Sequence, residues 1–176
     1  MDLEEDTIVP IYPRKVAKAV CAPAVRGEVA AADTTNWRGV RGLVVVRADA
    51  LVTGLDFRDT YARTRILETL VYPDIRFEID SLTNVQRGDT LRATAVGMIE
   101  LHGVKKPMTV PIKVWREKLG LRVTGQWEFP AIDLINEYHM SPYPLSLGVK
   151  GHIWREVYLG IDAILVPASA AASSGS

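Results

Sequence analysis

The fold is decided by the stretch Ile99-Glu100-Leu101-His102-Gly103-Val104-Lys105-Lys106-Pro107-Met108-Thr109-Val110. Apolar and polar residues alternate on both sides of a glycine, which is typical of two strands of a sheet with one buried face. Gly103 permits a positive φ angle, and Pro107 restricts the chain where it leaves the turn. The stretch therefore predicts a β-hairpin, and a hairpin alone has no chemistry.

Segments before and after this hairpin also carry apolar residues, either at every second position or in a continuous run. Short turns are expected between some of them at 87–89 and 118–120, where glycine and polar residues cluster. Antiparallel strands joined by short turns form a meander, and closure of a meander removes its exposed edges. We therefore predict an all-β protein, an up-and-down antiparallel β-barrel of about eight strands. The predicted strands include 43–47, 74–80, 89–101, 108–114, 121–129 and about 151–166.

One segment has helical spacing instead. Apolar residues between positions 56 and 70 recur at helical intervals, and Asp56 or Asp59 could serve as the N-cap. Tyr72-Pro73 ends this segment, because proline disfavours the helical conformation of the residue before it. We predict one short α-helix near residues 58–70.

Length and charge limit the classes of protein to consider. A chain of 176 residues suits one domain, which we assign to residues 1–167, and the small, polar residues 168–176 are expected to be disordered. The formal net charge is zero, so there is no broad electrostatic reason to bind nucleic acid.

The first residues bear on location. Met1 to Asp6 are acidic, whereas a secretory signal needs a basic start and an apolar core. No segment approaches transmembrane length. We therefore expect a cytoplasmic protein without a transmembrane segment.

The hairpin, together with the residues before it, resembles the YceI-like family of small lipid- and polyisoprenoid-binding proteins. Members typically carry a Leu-x-Gly-Val-x-Lys-Pro turn, which stands here as Leu101-His102-Gly103-Val104-Lys105-Lys106-Pro107. Upstream, the small and acidic segment 48–54, then Arg58-Asp59, then Tyr72-Pro73 and a strand follow in the family's order. The resemblance covers roughly residues 39–118, and more loosely extends to 167.

The resemblance implies a lipocalin-like barrel with one helix at an end. Because family members are often periplasmic or secreted, such a location is the alternative if the chain is a trimmed mature form.

The barrel interior could be filled in two ways, because about eight strands leave room either for packed side chains or for one small ligand. Ala93, Ala95 and Gly97 stand in a row on the inward face of one predicted strand, and Gly125 adds a small residue on another. An empty core is costly, at about 24 cal/mol per Å³ of cavity. Either bulky aromatic neighbours or a ligand must occupy this space.

The resemblance favours a ligand, a long-chain isoprenoid or acyl lipid that the protein carries or stores without chemistry and without a cofactor or metal. The inward faces offer almost no polar partner, and each buried methylene contributes about 0.8 kcal/mol. The expected ligand-binding residues lie on inward faces or in the loop after residue 130. They are Ile75, Phe77, Ile79, Leu91, Ala93, Ala95, Gly97, Val110, Ile112, Val123, Gly125, Trp127, Phe129, Tyr138 and Met140.

The head group of such a lipid would lie at a barrel mouth. Candidate contacts are Arg58, Asp59 and Tyr61, for which the alternative is a solvated helix face. Residues 130–147 depart from the family's Asp-Phe-Gly-Ile-like wording, and only Asp133 matches plainly. Their length, prolines and aromatic residues predict a loop that caps the mouth and touches the ligand.

Catalysis finds little support in the sequence. His102, His139 and His152 show no metal-ligand spacing, and His102 is expected to be exposed in its turn. Glu137 with His139 could form an acid–base pair. An enzyme acting on a hydrophobic substrate through the 133–144 loop is therefore one alternative, and a ligand-free structural or stress-response module is another.

The surface offers two further expectations. Lys105 and Lys106 are interpreted as part of a solvated turn. The oligomeric state is left open, with a homodimer among the alternatives.

Overall fold

The computed structural model describes residues 25–33, 37–50, 52, 56–140 and 156–167. Within these residues, seven strands form one antiparallel sheet in which every strand pairs with its neighbours in sequence. The sheet curls until its first and last strands contact each other, which gives a nearly closed barrel. The strands are β1 (Val25–Ala30), β2 (Arg41–Arg47), β3 (Asp74–Gln86), β4 (Leu91–Leu101), β5 (Val104–Glu117), β6 (Gly120–Pro130) and β7 (Glu156–Leu165).

The predicted all-β up-and-down barrel is confirmed, with seven described strands where about eight were expected. The predicted turns at 87–89 and 118–120 join β3 to β4 and β5 to β6. The predicted tail 168–176 lies outside the described residues.

The strand β4 shows most clearly why the sequence forms a barrel wall. Its odd-numbered residues from Leu91 to Leu101 are all buried, and its even-numbered residues are half-buried or exposed. Successive side chains of a strand point to opposite faces, so this alternation gives one face to the core. β4 pairs along its whole length with β5, from Leu91↔Val114 to Leu101↔Val104.

The connections between strands give the barrel two different ends. The turn end carries the connections β1–β2, β3–β4 and β5–β6. The helical end carries the β4–β5 turn at His102 and Gly103 and the two long connections β2–β3 and β6–β7. Its described helices are a short 3-10 helix (Ala48–Ala50), α1 (Asp56–Tyr61), a π-helical segment (Ala62–Ile66) and α2 (Ala131–Asn136).

The helix predicted near 58–70 is present but shorter. It starts at Asp56, continues as the π-helical segment and ends by Leu67. Glu68 has a φ angle of 44°, and its carbonyl accepts hydrogen bonds from the N–H groups of Val71 and Tyr72. A left-handed residue cannot continue a right-handed helix, so the helix stops before Tyr72-Pro73 is reached.

Two apolar clusters along β4 form part of the described core. The helical-end cluster comprises Ile99, Leu101, Leu134, Tyr138 and Met140. The turn-end cluster is smaller and comprises Leu91, Ala93 and Val114. On β4, the buried Ala95 and Gly97 lie between the two clusters.

Candidate functional site

The structure brings most of the expected ligand-binding residues to the barrel interior. Seven of them are buried: Leu91, Ala93, Ala95, Gly97, Val110, Tyr138 and Met140. Six are half-buried: Ile75, Phe77, Ile79, Ile112, Val123 and Gly125. The side chains of Trp127 and Phe129 lie outside the described residues.

The two glycines among these residues do not simply leave space. A Cβ atom at Gly97 would overlap the carbonyl oxygen of Glu78 on β3, next to a register shift between Ile79 and Ser81. A Cβ atom at Gly125 would lie 3.1 Å from side-chain atoms of both Val110 and Ile112. Gly97 therefore allows a close approach of two strands. On the inward face of β4, Ala93 and Ala95 are therefore the small residues whose size is not required by a close backbone approach.

A cavity of about 230 Å³ opens at the turn end of the barrel. Its floor contains the buried side chains of Leu91 and Val114, which belong to the turn-end cluster, and the half-buried Leu121. Ala93 follows Leu91 on the same face of β4 and is also buried. The apolar floor thus leads from the open mouth toward the small residues in the middle of β4.

Charged residues surround this cavity. Its lining is completed by Trp37, Arg87, Gly88, Asp89, Trp115 and Arg116. The sequence does not indicate Trp37, Arg87 and Arg116 as site residues, and residues 87–89 carry only a turn signal. They come together because the β1–β2, β3–β4 and β5–β6 connections lie at the same end of the barrel.

The opposite end of the barrel wall is split. The β5–β6 ladder ends at Ile112↔Gly125, and β6 then continues alongside β7. On β5, Pro111 and Pro107 follow toward the helical end, and proline has no N–H group to donate to a ladder. The wall therefore lacks β5–β6 pairing in the described residues beyond this point.

Residues 131–140 cover the helical end, and we call them the cap segment. Leu134, Tyr138 and Met140 of this segment pack against Ile99 and Leu101. The cap segment is also tied to β5, since Lys106 Nζ lies 2.9 Å from Glu137 Oε2. The aromatic side chain of Tyr138 is buried in the core. The expected loop residues 141–147 lie outside the described residues.

The cap segment also explains why the expected exposure of His102 is wrong. His102 is only 8% exposed. Its ring packs against that of Tyr72 at an interplanar angle of 48°, with ring centroids 4.2 Å apart, and it hydrogen-bonds to the cap segment. The neighbours that bury it come from distant parts of the sequence.

The proposed head-group residues lie at this covered end. Asp59 is 5% exposed, so the alternative of a solvated helix face is wrong for this residue. Tyr61 is half-buried and stacks with Phe57, the ring centroids being 6.4 Å apart. The side chain of Arg58 lies outside the described residues.

The two lysines lie on β5 and not in the turn. Lys105 Nζ is 2.5 Å from Glu78 Oε2, and Lys106 contacts Glu137 as described above. Each lysine thus joins β5 to another element at the surface, to β3 or to the cap segment. Both lysines are solvated, as predicted, but the prediction that they form part of the turn is wrong.

The residues of the alternative catalytic loop are not drawn into one constellation. Glu137 pairs with Lys106, and His139 is exposed, with a φ angle of 56°. Among the residues that the structure describes, no group of three histidine, cysteine or acidic side chains could hold a metal ion. His152 and residues 141–144 lie outside the described residues.

In the described ranges, no helix has the length and apolar character needed to span a membrane.

Comparison with known proteins identifies related sequences and folds. The family model of the YceI-like domain matches residues 16–152. A YceI protein of Campylobacter jejuni has a TM-score of 0.64 at 13% identity, with 85% of this chain and 84% of that chain covered. BcnA of Burkholderia cenocepacia has a TM-score of 0.63 at 12% identity, with 81% and 84% covered. At these identities the structural similarity establishes the fold alone.

Two further results complete the comparison. A polyisoprenoid binding domain from Saccharophagus degradans has a TM-score of 0.44 at 17% identity, covering 71% of this chain and 89% of that chain, which is too low to support an inference. No curated protein sequence matches this chain.

Proposed function

This chain belongs to the family of YceI-like domains, and from that premise we propose that its barrel binds a long-chain apolar lipid of the polyisoprenoid or fatty-acyl type. The lipid chain lies in the barrel interior, and the protein carries or stores it without chemistry.

One observation carries this proposal, the apolar inner wall that leads inward from an open cavity. Every inward-facing residue of β4 is buried and apolar, from Leu91 beside the cavity to Leu101 under the cap segment. A hydrocarbon chain that lies against this wall is buried and needs no hydrogen bonds. Each buried methylene contributes about 0.8 kcal/mol, so chain length alone would supply affinity.

The volume of the cavity limits how much of the lipid chain it can hold. Sites for drug-sized ligands usually enclose about 300–1,000 Å³, and the cavity at the turn end is smaller, at about 230 Å³. A long chain must therefore extend beyond it, past Ala93 toward Ala95. We expect side chains of the turn-end cluster to shift when the chain enters.

The contacts of the cap segment support the proposal that the protein catalyses no reaction. Glu137, one half of the acid–base pair considered from the sequence, is held by Lys106 at 2.9 Å. Its partner His139 is exposed and forms no ion pair with a carboxylate among the described residues. Binding without turnover is therefore the simpler function for this barrel.

The experiment is a titration of the purified full chain with cis-parinaric acid, a long-chain fatty acid whose fluorescence rises when it is buried. Ala95 is 2% exposed and lies opposite Val110, so Ala95→Phe places a large side chain in the path of the lipid. We expect the folded variant to lose binding. Thr109→Phe adds the same ring to an exposed outward position of β5 and should bind as the wild type does.

The outcomes separate the alternatives. If Ala95→Phe perturbs folding, as judged by circular dichroism, the smaller Ala95→Val should still weaken binding. Unchanged affinity in a folded Ala95→Phe variant would contradict the proposed chain path. A wild-type protein that binds no long chain would favour the ligand-free module, and consumption of the probe would favour an enzyme.

A further inference from the structure

The cavity at the turn end combines an apolar floor with a charged rim. Leu91 and Val114 are buried at the floor, whereas Arg87, Asp89 and Arg116 are exposed around it. Neither arginine forms an ion pair with any residue that the structure describes. An apolar floor below unpaired cations is the arrangement expected for an amphiphile, a ligand with a hydrocarbon chain and a charged head.

A third arginine, Arg122, lies close to this rim but is already paired. Arg122 donates to both carboxylate oxygens of Asp162 at 2.7 Å and to Glu117 at 3.1 Å. Glu117 also accepts a hydrogen bond from the indole N–H of Trp115 at 3.2 Å. The charges that face the cavity itself are therefore two arginines and one aspartate, which leave one net positive charge.

We propose that Arg87 and Arg116 bind the carboxylate head group of a long-chain fatty acid at the turn end of the barrel. This inference rests on the proposed function and adds to it the class of head group and the mouth through which the chain enters. A guanidinium group presents paired N–H donors that match the two oxygens of a carboxylate. Asp89 disfavours a second negative charge at the same rim, so a carboxylate fits it better than a phosphate dianion.

This rim lies at the opposite end of the barrel from the head-group residues that the sequence indicated. Asp59 is buried at the helical end, which the cap segment covers. The chain would enter between the β3–β4 and β5–β6 turns and point toward Ala95. Its head group would remain at the surface, where water and both arginines reach it.

The test is isothermal titration calorimetry of the full chain with hexadecanoate, hexadecanol and hexadecyl phosphate, which share one hydrocarbon chain. We expect hexadecanoate to bind about tenfold more tightly than hexadecanol, as a charge-assisted hydrogen-bond pair would provide. Arg87→Gln and Arg116→Gln should each remove most of this difference and leave hexadecanol binding unchanged. Arg65→Gln, at an exposed position of the helical end, is the matched control and should change neither affinity.

Each other outcome overturns a stated part of the inference. Equal affinities for all three compounds, unaffected by the rim variants, would overturn the rim assignment and leave chain binding in the barrel intact. Tighter binding of hexadecyl phosphate would overturn the choice of a carboxylate. An equal effect of Arg65→Gln would reduce the rim to general charge attraction, and no binding of any compound would overturn the proposed function as well.

Discussion

His102 contacts two distant residues through its two ring nitrogens. Nε2 lies 2.9 Å from a carboxylate oxygen of Glu68, and Nδ1 lies 2.9 Å from the carbonyl oxygen of Tyr138. A carbonyl oxygen can only accept a hydrogen bond, so Nδ1 donates to Tyr138. Through these contacts His102 connects the β4–β5 turn to the cap segment and to the residues after the π-helical segment.

His102→Ala is expected to lower the free energy of unfolding by about 2 kcal/mol, because the buried carbonyl of Tyr138 loses its donor and the contact with Glu68 disappears. His139→Ala is the matched control. His139 also has a positive φ angle, 56° against 53° for His102, but it is exposed. It should change stability by no more than about 0.5 kcal/mol. Urea denaturation of both variants checks this, and equal effects would show that the buried contacts of His102 contribute nothing.

Alkaline pH should weaken the cap segment through Tyr138. Burial, and then the negative charges of Glu137 and Asp133, raise the pKa of this phenol above its ordinary value of 10.0. The unfolded chain thus loses this proton at lower pH than the folded protein does. The contribution to stability is complete below pH 10.0 and falls as the pH rises through the folded pKa.

The free energy of unfolding, measured by urea denaturation between pH 9 and pH 11, should therefore fall less steeply in Tyr138→Phe than in the wild type. Phenylalanine keeps the ring in the helical-end cluster and removes the titrating group. Parallel slopes in the two proteins would contradict the role of Tyr138.

Gly97→Ala should destabilise the barrel by about 1–3 kcal/mol, the usual cost of overpacking. The new Cβ atom would meet the backbone carbonyl of Glu78, which cannot move aside as a flexible side chain could. Gly88→Ala is the control, because its Cβ atom would lie 3.7 Å from the carbonyl oxygen of Thr90. Thermal denaturation should show a loss for Gly97→Ala alone. A fully stable Gly97→Ala variant would show that β3 and β4 can separate locally without cost.

Hydrogen exchange reports whether the lipid chain reaches the helical end. The amides of Glu137 and Met140 donate to carbonyls within the cap segment, at 2.8 and 3.1 Å. If the chain extends to Ile99, it packs beneath Leu134 and Tyr138, and these amides should exchange more slowly with lipid bound than in stripped protein. Unchanged exchange throughout residues 131–140 would mean that the chain ends before the cap segment.

Strand β4 illustrates how much of the fold could be predicted from the sequence. Its uninterrupted alternation reports burial directly, so the strand, its inward face and its hairpin to β5 were all correctly predicted. Strand β3 was predicted only to residue 80, although it continues to Gln86. A register shift between Ile79 and Ser81 changes which residues face inward, and the simple alternation stops there.

The candidate site was less predictable, because it depends on which turns meet. Arg87 and Arg116 lie far apart in sequence, and nothing local marks either as a lining residue of one cavity. His102 similarly has the sequence context of an exposed turn, and Glu68, Tyr72 and Tyr138 bury it only in the folded chain. The sequence predicts which residues of one strand face inward, but it does not predict which loops between strands contact each other.

Native mass spectrometry of the protein purified without added ligand shows whether the barrel holds a long-chain lipid. We predict a species heavier than the bare chain by the mass of one lipid, and loss of that species after organic extraction. The released compound should have a long hydrocarbon chain, and the wild-type protein should take it up again where Ala95→Phe does not. A single species at the mass of the bare chain, from a folded protein that also takes up no long-chain lipid when one is supplied, would contradict the claim.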